Sequence, residues 1–282
     1  MTDRLRRRLA ARGRWGLLAG AVMVALVLVT ALVGPALVRD APTKQLLELR
    51  LQPPGAGHPL GLDELGRDVL SRLVQGARVS VAVGFAVVIL AGAVGTLVGA
   101  VAGYAGGAVD ATLSRATDVV LAFPGILLAI ALVALLGPAL SHVVFALAAI
   151  GWVGYARLVR GQVLKLREEE FVLAARAAGI PARRVVFRHV LPNVLPLLVV
   201  QATLGMAGAV LAEAGLSFLG LGQPPPGSSW GAMINAGRAH LLDAPHVALF
   251  PGLAIVWTVL GLNCLGDGLV DALDPRRRKT ET

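Results

Sequence analysis

Residues 157–192 read RLVRGQVLKLREEEFVLAARAAGIPARRVVFRHVLP and separate two strongly apolar stretches of the chain. This segment holds eight Arg or Lys residues and three Glu residues, whereas only 15% of the whole sequence is charged. A long basic segment between apolar runs is typical of a cytoplasmic loop in a membrane protein. The segment therefore predicts an all-α, polytopic membrane fold that presents one large helical loop to a partner.

The overall composition supports this interpretation. Of the 282 residues, 56% are hydrophobic, and the mean hydropathy is +0.74, far from the balance of a soluble domain. The 34 Gly residues fit helices that pack closely in a bilayer, where small side chains let backbones approach. The single cysteine, Cys264, lies in an apolar run, which excludes a disulfide framework and a cysteine-based metal site.

Charge-free stretches predict six transmembrane helices, since a bilayer core of roughly 30 Å needs about 20 apolar residues. Residues 119–156 carry no formal charge and are long enough for two crossings, with a break at Gly137-Pro138. The other predicted spans are residues 15–38, 79–103, 194–219 and 247–265. A cleaved signal peptide is the alternative for the first apolar run. Its 24 residues are long for that role and no A-x-A site follows, so a retained anchor is expected.

The basic residues predict that both chain ends lie in the cytoplasm. In this orientation the cytoplasmic segments hold 19 of the 26 Lys and Arg residues. The net charge thus follows the rule for membrane proteins and requires no nucleic acid. The predicted organisation is a basic cytoplasmic tail (1–14), the first helix (15–38), an extracytoplasmic segment (39–78), a five-helix core containing loop 157–192 (79–269) and a cytoplasmic tail (270–282). Within the extracytoplasmic segment, Asp68 is expected to cap a short surface helix that ends at Gly76.

Two short helices are predicted inside the basic loop. The first covers residues 167–178, with three glutamates in its first turn and Gly179 at the C′ position. The second begins at Pro181 and ends near Leu191-Pro192. Helical spacing puts four apolar residues on one side of the first helix, and such a surface fits a groove on another protein. They are Phe171, Ala174, Ala175 and Ala178. The alternative is an amphipathic loop whose arginines rest on lipid phosphates.

Ionisable residues in the apolar runs are functional candidates. Glu213, late in the fifth span, either lines a pathway near its outer mouth or has a structural role, and the structural role is favoured. Asn263 and Asp267 lie one helical turn apart near the inner end of the last span, where they are expected to hydrogen-bond across helices. Arg115 and Asp118 are predicted to form an interfacial ion pair.

Motifs of nucleotide binding and hydrolysis are missing from the sequence. Its three lysines follow Thr43, Leu164 and Arg278, so no GxxxxGK[ST] loop exists. No H-E-x-x-H or G-x-S-x-G occurs, and the five histidines are dispersed. We therefore expect no catalytic site and no cofactor in this chain.

Ala174-Ala175, three further residues and Gly179, followed by Leu191-Pro192, resemble the coupling loop of binding-protein-dependent ABC importer permeases. Further segments resemble the second permease subunit of the dipeptide/oligopeptide/nickel branch. They are HPLG (58–61), GRDVLSR (66–72), YARLVR (155–160), HVLPN (189–193), LSFLGLG (216–222) with WG (230–231), GDGL (266–269) and LDPR (273–276). The family usually has Glu before the two alanines, and this chain has Leu173 there.

The resemblance implies a six-helix permease of the type I importer fold in a bacterial inner membrane. Its expected partners are a different but homologous permease subunit, two ATPase subunits or domains that carry ATP and Mg²⁺, membrane lipids, and an extracytoplasmic substrate-binding protein that docks on segment 39–78 and loop 222–245. It assigns the ATPase contact to Phe171, Leu173, Ala174, Ala175, Ala178 and Gly179. The substrate stays open among peptides, nickel chelates, glutathione-like compounds and opines.

Two other classes of membrane protein fit the sequence less well. An ion-coupled secondary transporter should show paired polar groups at the membrane midplane and an internal repeat. The sequence has almost no charge within the later spans and no evident repeat. A membrane-embedded enzyme is favoured least, because no catalytic constellation is visible.

Overall fold

A computed structural model describes residues 3–38 and 40–273, and the side chains from residue 15 onward. Its helices are α1 (Asp3–Leu37), α2 (Val69–Ala105), α3 (Gly107–Leu121), α4 (Gly125–Leu136), α5 (Leu140–Leu166), α6 (Glu170–Ala177), α7 (Ala182–Val185), α8 (Leu191–Phe218), α9 (Trp230–Gly237) and α10 (His246–Leu273). The all-α prediction is confirmed. The predicted basic tail residues 276–279 and the side chains of residues 1–14 lie outside the described part of the chain.

Five helical segments are long and apolar enough to cross a membrane: residues 15–37, α2, α5, the continuous stretch 182–218, and α10. Helices α3 and α4 together form a sixth candidate span, which bends by 81°. Six spans agree with the sequence prediction, but the third span does not follow its predicted course. It begins at Gly107 rather than near residue 119, and it breaks before Pro124, because proline disfavours a helical conformation in the residue that precedes it. The predicted break at Gly137, with a φ of 94°, is confirmed.

Helix α2 packs against α5 through a stripe of glycines. Gly95, Gly99 and Gly103 are spaced four residues apart and face the backbone of α5. A Cβ at Gly99 would collide with the Ala156 carbonyl oxygen and lie 2.9 Å from the Val159 Cβ. These small residues let the two helix backbones touch, which is how membrane helices gain van der Waals contact.

Alanine substitutions at two glycines, one in the stripe and one outside it, are expected to change the stability of the protein in opposite directions. Gly99→Ala is expected to lower the free energy of unfolding by about 1–3 kcal/mol, because α5 must shift to admit the methyl group. A Cβ added at Gly161 on α5 would meet no atom within 4 Å. Gly161→Ala should therefore raise the free energy of unfolding by up to about 1 kcal/mol, because alanine has the higher helix propensity. Thermal unfolding of both variants in the same detergent measures the difference. Equal midpoints would contradict the close approach of α2 and α5.

Helix α1 lies along α10 and is the least buried of the spans. Glycines again set the distance between the two helices. A Cβ at Gly261 would lie 2.8 Å from the Met23 Cβ, and one at Gly268 would lie 2.6 Å from the Leu17 Cα. The first span is therefore part of the packed bundle even though most of its surface remains available to lipid.

Asp68 caps α2, as the sequence predicted: its Oδ1 accepts a hydrogen bond from the Ser71 backbone N–H at 2.8 Å. The predicted end at Gly76 is wrong, because α2 continues without interruption to Ala105. Two charges, Arg72 and Arg78, make residues 69–78 look extramembranous in the sequence. Arg72 is instead buried, with its Nε 3.4 Å from the Asp63 carboxylate, so the helix carries this charge inside the fold.

Candidate functional site

The predicted site residues fall into two groups at opposite ends of the helix bundle. We call the end that carries α6 the α6 end and the end that carries α9 the α9 end. The α6 end contains the short helices of the basic loop, and the α9 end contains Glu213 with the segments before α2 and after α8.

Helix α6 is shorter than the sequence predicted. It begins at Glu170 rather than Arg167, with Glu169 as N-cap. Arg167 instead closes α5, because its backbone N–H donates to the Val163 carbonyl at 2.9 Å. The Arg167 side chain is also occupied, since Nη1 donates to the Gly103 carbonyl at 3.1 Å. Only a three-residue turn separates α5 from α6, so the two helices are tightly linked.

Gly179 ends α6 in a left-handed conformation, with a φ of 74°, at the predicted C′ position. Its N–H donates to the Arg176 carbonyl at 3.0 Å, and the Ile180 N–H donates to the Ala175 carbonyl at 3.1 Å. This pair of bonds is a Schellman motif, which satisfies the last carbonyls of a helix and fixes the exit of the chain. The position of α6 is therefore defined at both ends by backbone contacts.

The inward face of α6 consists of Val172 and Ala175, which are 0% and 7% exposed. They pack against Val159 and Val163 of α5 and against Val185, Val190 and Val194 of the following helices. The prediction that Ala175 shares an outward side with Phe171, Ala174 and Ala178 is therefore wrong. Ala175 lies close in angle to Val172, and burial of that pair turns it toward the bundle.

The outward face of α6 is small and mostly apolar. Phe171 and Leu173 are 43% and 44% exposed and flank the exposed Ala174 and Ala178. Ala177, which the sequence analysis did not single out, is also exposed and lies opposite the buried pair. We call Phe171, Leu173, Ala174, Ala177 and Ala178 the α6 outer face. The centre of this face carries only alanine side chains, and the two larger apolar side chains lie at its edges.

The second predicted loop helix does not end at Leu191-Pro192. Helix α7 passes through one turn of π-helix, Val186–Val190, directly into α8. Pro192 lacks a backbone donor, and the wider turn that precedes it keeps the helix path continuous. The loop therefore continues without a break into the membrane span α8, and a short turn links its other end to the membrane span α5.

The predicted ion pair between Arg115 and Asp118 is not the one that forms. Asp118 accepts a hydrogen bond from the Arg157 Nη2 of α5 at 2.8 Å, and Arg115 is exposed. Spacing along one helix favours the local pair, whereas helix packing brings α5 closer to Asp118. The candidates Asn263 and Asp267 lie on α10, where Asn263 is half-buried and Asp267 is exposed.

Glu213 at the α9 end is fully buried, and three elements converge on it. Its Oε1 accepts a hydrogen bond from the Ser217 hydroxyl of α8 at 2.6 Å, and its Oε2 accepts one from the Ser80 hydroxyl of α2 at 3.3 Å. Ser229, the N-cap of α9, lies beside this carboxyl group. The arrangement supports the structural interpretation of Glu213, because its oxygens are engaged in joining α2, α8 and α9.

Residues 51–68 and 222–246 form one ordered surface at the α9 end, which we call the α9 platform. Ser228 donates to the Arg72 carbonyl at 3.1 Å, and His246 donates through Nε2 to the Leu62 carbonyl at 3.1 Å. Asp63 is an internal counter-ion, since its Oδ2 accepts from the Arg67 Nε at 2.7 Å. The platform thus consists of loops and the short helix α9, fastened to the start of α2.

Within the described residues, no group of three or more His, Cys, Asp or Glu side chains is arranged to hold a metal ion. At the α9 end, Asp63, Asp68 and Glu213 are engaged with arginine, histidine and serine side chains, respectively. These polar groups connect helices and loops within the chain.

Comparison with known proteins gives one family and a set of close relatives. The family described as "Binding-protein-dependent transport system inner membrane component" matches residues 95–279. The dipeptide transport system permease protein DppC of Alkalihalophilus pseudofirmus is 45% identical over 259 residues, which cover 92% of this chain and 85% of that protein. The glutathione transport system permease protein GsiD of Pectobacterium atrosepticum is 46% identical over 223 residues, or 79% and 74% of the two chains. DppC of Bacillus subtilis is 41% identical over 263 residues, or 93% and 82%.

Proposed function

The chain belongs to the family of binding-protein-dependent transport system inner membrane components, and we propose that it forms one half of a pathway for peptides or small peptide-like solutes. It is a multi-pass membrane protein and a permease subunit of an ABC importer. The proposed substrate class follows the relatives, whose names specify dipeptide, peptide and glutathione transport. The other half of the pathway would be a different, homologous permease subunit.

Energy for transport would come from ATP and Mg²⁺ bound on two separate ATPase subunits or domains. The observation that carries this proposal is the α6 outer face, a small apolar surface on a helix whose ends are fixed by Glu169 and Gly179. Such a surface fits a cleft on a partner, and its short links to α5 and α8 would pass the partner's movement to two membrane spans. The ATPase-contact residues would be Phe171, Leu173, Ala174, Ala177, Ala178 and Gly179, with Ala175 supporting them from inside.

The α6 end would face the cytoplasm of a bacterial cell, and the α9 platform would face outward. The basic residues around α6 support this orientation under the positive-inside rule, and those arginines would also contact lipid headgroups. A soluble substrate-binding protein would then dock on the α9 platform. Alternating access would follow when closure of two ATPases rocks the paired permease helices.

Reconstitution into proteoliposomes tests the proposal. We expect uptake of tritiated dialanine or glutathione only when the chain is combined with its partner permease, the ATPases, the substrate-binding protein and ATP. Uptake by this chain alone, driven by a proton or sodium gradient, would overturn the proposal in favour of a secondary transporter. Failure of the chain to co-purify with any ATPase subunit would also count against it.

A further inference from the structure

Helix α3 is held in place by few apolar contacts. Among its 15 residues, only Thr117 is buried. A cavity of about 420 Å³ separates α3 from α2 and α5, and small residues such as Gly99, Ala102 and Ala156 form part of its wall. Packing alone therefore does not determine where α3 lies relative to α5.

Two ion pairs bridge α3 and α5 at this cavity. Arg160 of α5 binds Asp110 of α3 in a bidentate manner, with Nε donating to Oδ1 and Nη2 donating to Oδ2 at 2.7 Å. The Asp110 side chain is only 17% exposed. The second pair, Arg157 with Asp118, has a single hydrogen bond, and about half of each side chain is exposed. Bidentate pairs with restricted solvent access hold geometry more firmly than exposed single contacts, so the Asp110–Arg160 pair dominates.

Both ends of α3 are built to bend. At its start, Gly106 and Gly107 have φ values of 68° and 54°, a region that glycine enters without steric cost. At its end, residues 122–124 form the 81° bend to α4. A helix between two such joints can swing as a unit unless a specific contact fixes it.

The fixing contact lies on the helix that leads to α6. Arg160 is within the last two turns of α5, and α6 begins after the three-residue turn that follows. We propose that the Asp110–Arg160 pair makes the bent α3–α4 span move together with α5 during transport. Asp110 and Arg160 are then positioning residues that extend the movement of α6 to the bent α3–α4 span. The role of the Asp110–Arg160 pair in transport rests on the proposed function. Its mechanical role, which is to hold α3 against α5, rests on the contacts alone.

Spin labels on α3 and α5 test the mechanical role without ATP. In a Cys264→Ser background, labels are attached at the exposed positions Thr112 and Lys165, and their distance distribution is measured in the full transporter. We expect one narrow distance distribution when the Asp110–Arg160 ion pair is intact, and a broadened or displaced distribution in Asp110→Asn. The exposed ion pair between Arg157 and Asp118 supplies the matched control, because Asp118→Asn should leave the distance distribution narrow. An unchanged distribution in Asp110→Asn would overturn the inference.

Transport measurements test the role of the Asp110–Arg160 pair in transport. Uptake per ATP hydrolysed should fall about tenfold in Asp110→Asn, the effect of losing a pair of charge-assisted hydrogen bonds, and less than about twofold in Asp118→Asn. The double exchange Asp110→Arg with Arg160→Asp should restore part of the loss. Normal uptake in Asp110→Asn would overturn the role in transport. If the unsubstituted assembly shows no ATP-dependent uptake, the proposed function fails, and the label distances still decide the inference.

Discussion

Ala177→Trp is expected to abolish ATP-coupled uptake while leaving the chain folded and inserted in the membrane. Ala177 is exposed on the side of α6 opposite the buried Val172 and Ala175, so an added ring meets no atom of this chain's own core. A cleft shaped for small side chains cannot admit an indole, and the size of the indole places the cost at the upper end of the range for overfilling, about 3 kcal/mol or more. We expect uptake to fall by about 100-fold or more, since each 1.4 kcal/mol is a factor of ten.

The conservative change at the same position is the control. Ala177→Ser adds a single oxygen on an exposed helix position and should keep most of the uptake. Co-purification of the ATPase should be lost in Ala177→Trp and retained in Ala177→Ser, while detergent-solubilised yield and thermal unfolding stay the same in both. Normal uptake in Ala177→Trp would remove α6 from the ATPase contact.

Gly179 is a less suitable position for this test, although the family resemblance draws attention to it. Its φ of 74° means that any side chain strains the backbone by about 1–2 kcal/mol, so a loss of uptake there mixes a distorted loop with a blocked contact. Ala177 separates the two effects, because it combines an ordinary helical conformation with full exposure of its face.

The sequence predicted the end of α6 better than its orientation. Gly179 and Pro181 are strong local stop signals, and local signals need no knowledge of the rest of the fold. The orientation depends on which apolar side chains the neighbouring helices cover. Val172 and Ala175 form one apolar pair and Phe171 and Ala174 form another, so spacing alone does not decide between them. Valines of α5, α7 and α8, which are distant in sequence, make the choice.

Two further signals in the sequence indicate features of the fold. Gly95, Gly99 and Gly103 repeat the G-x-x-x-G spacing of closely packed membrane helices, and they form the contact between α2 and α5. Pro124 lies inside a charge-free run and marks the bend of the third span. Neither feature is visible from the distribution of charge alone.

The ion pairs between α3 and α5 lie beyond sequence reasoning of this kind. Asp118 and Arg157 are 39 residues apart, and Asp110 and Arg160 are 50 apart. The i, i+3 rule predicts Arg115 as the partner of Asp118 because it considers one helix at a time. Only the crossing of two spans, set by the glycines of α2 and the bend of α3–α4, brings the distant arginines to the carboxylates.

Trp230→Ala is expected to destabilise the α9 end by about 3–5 kcal/mol, the range found for removal of a buried large aromatic side chain. The family resemblance draws attention to Trp230-Gly231 without giving a reason, and the structure supplies one. Trp230 is 2% exposed, its Nε1 donates to the Leu73 carbonyl at 2.9 Å, and its ring packs against Gly76 of α2. Loss of the ring leaves a cavity and removes the indole hydrogen bond to the Leu73 carbonyl at the point where α9 meets α2.

Trp257 on α10 is the matched control, because it is 45% exposed and its Nε1 donates to the Met23 carbonyl at 3.3 Å. Trp257→Ala should cost only about 1 kcal/mol, close to the worth of one hydrogen bond. Trp230→Phe keeps most of the ring and should also lose about 1 kcal/mol. Thermal unfolding in detergent compares the three variants, and limited proteolysis of residues 222–245 reports on the platform itself. A Trp230→Ala variant as stable as Trp257→Ala would mean that the platform is held by Glu213 and its serines, with the indole contributing little.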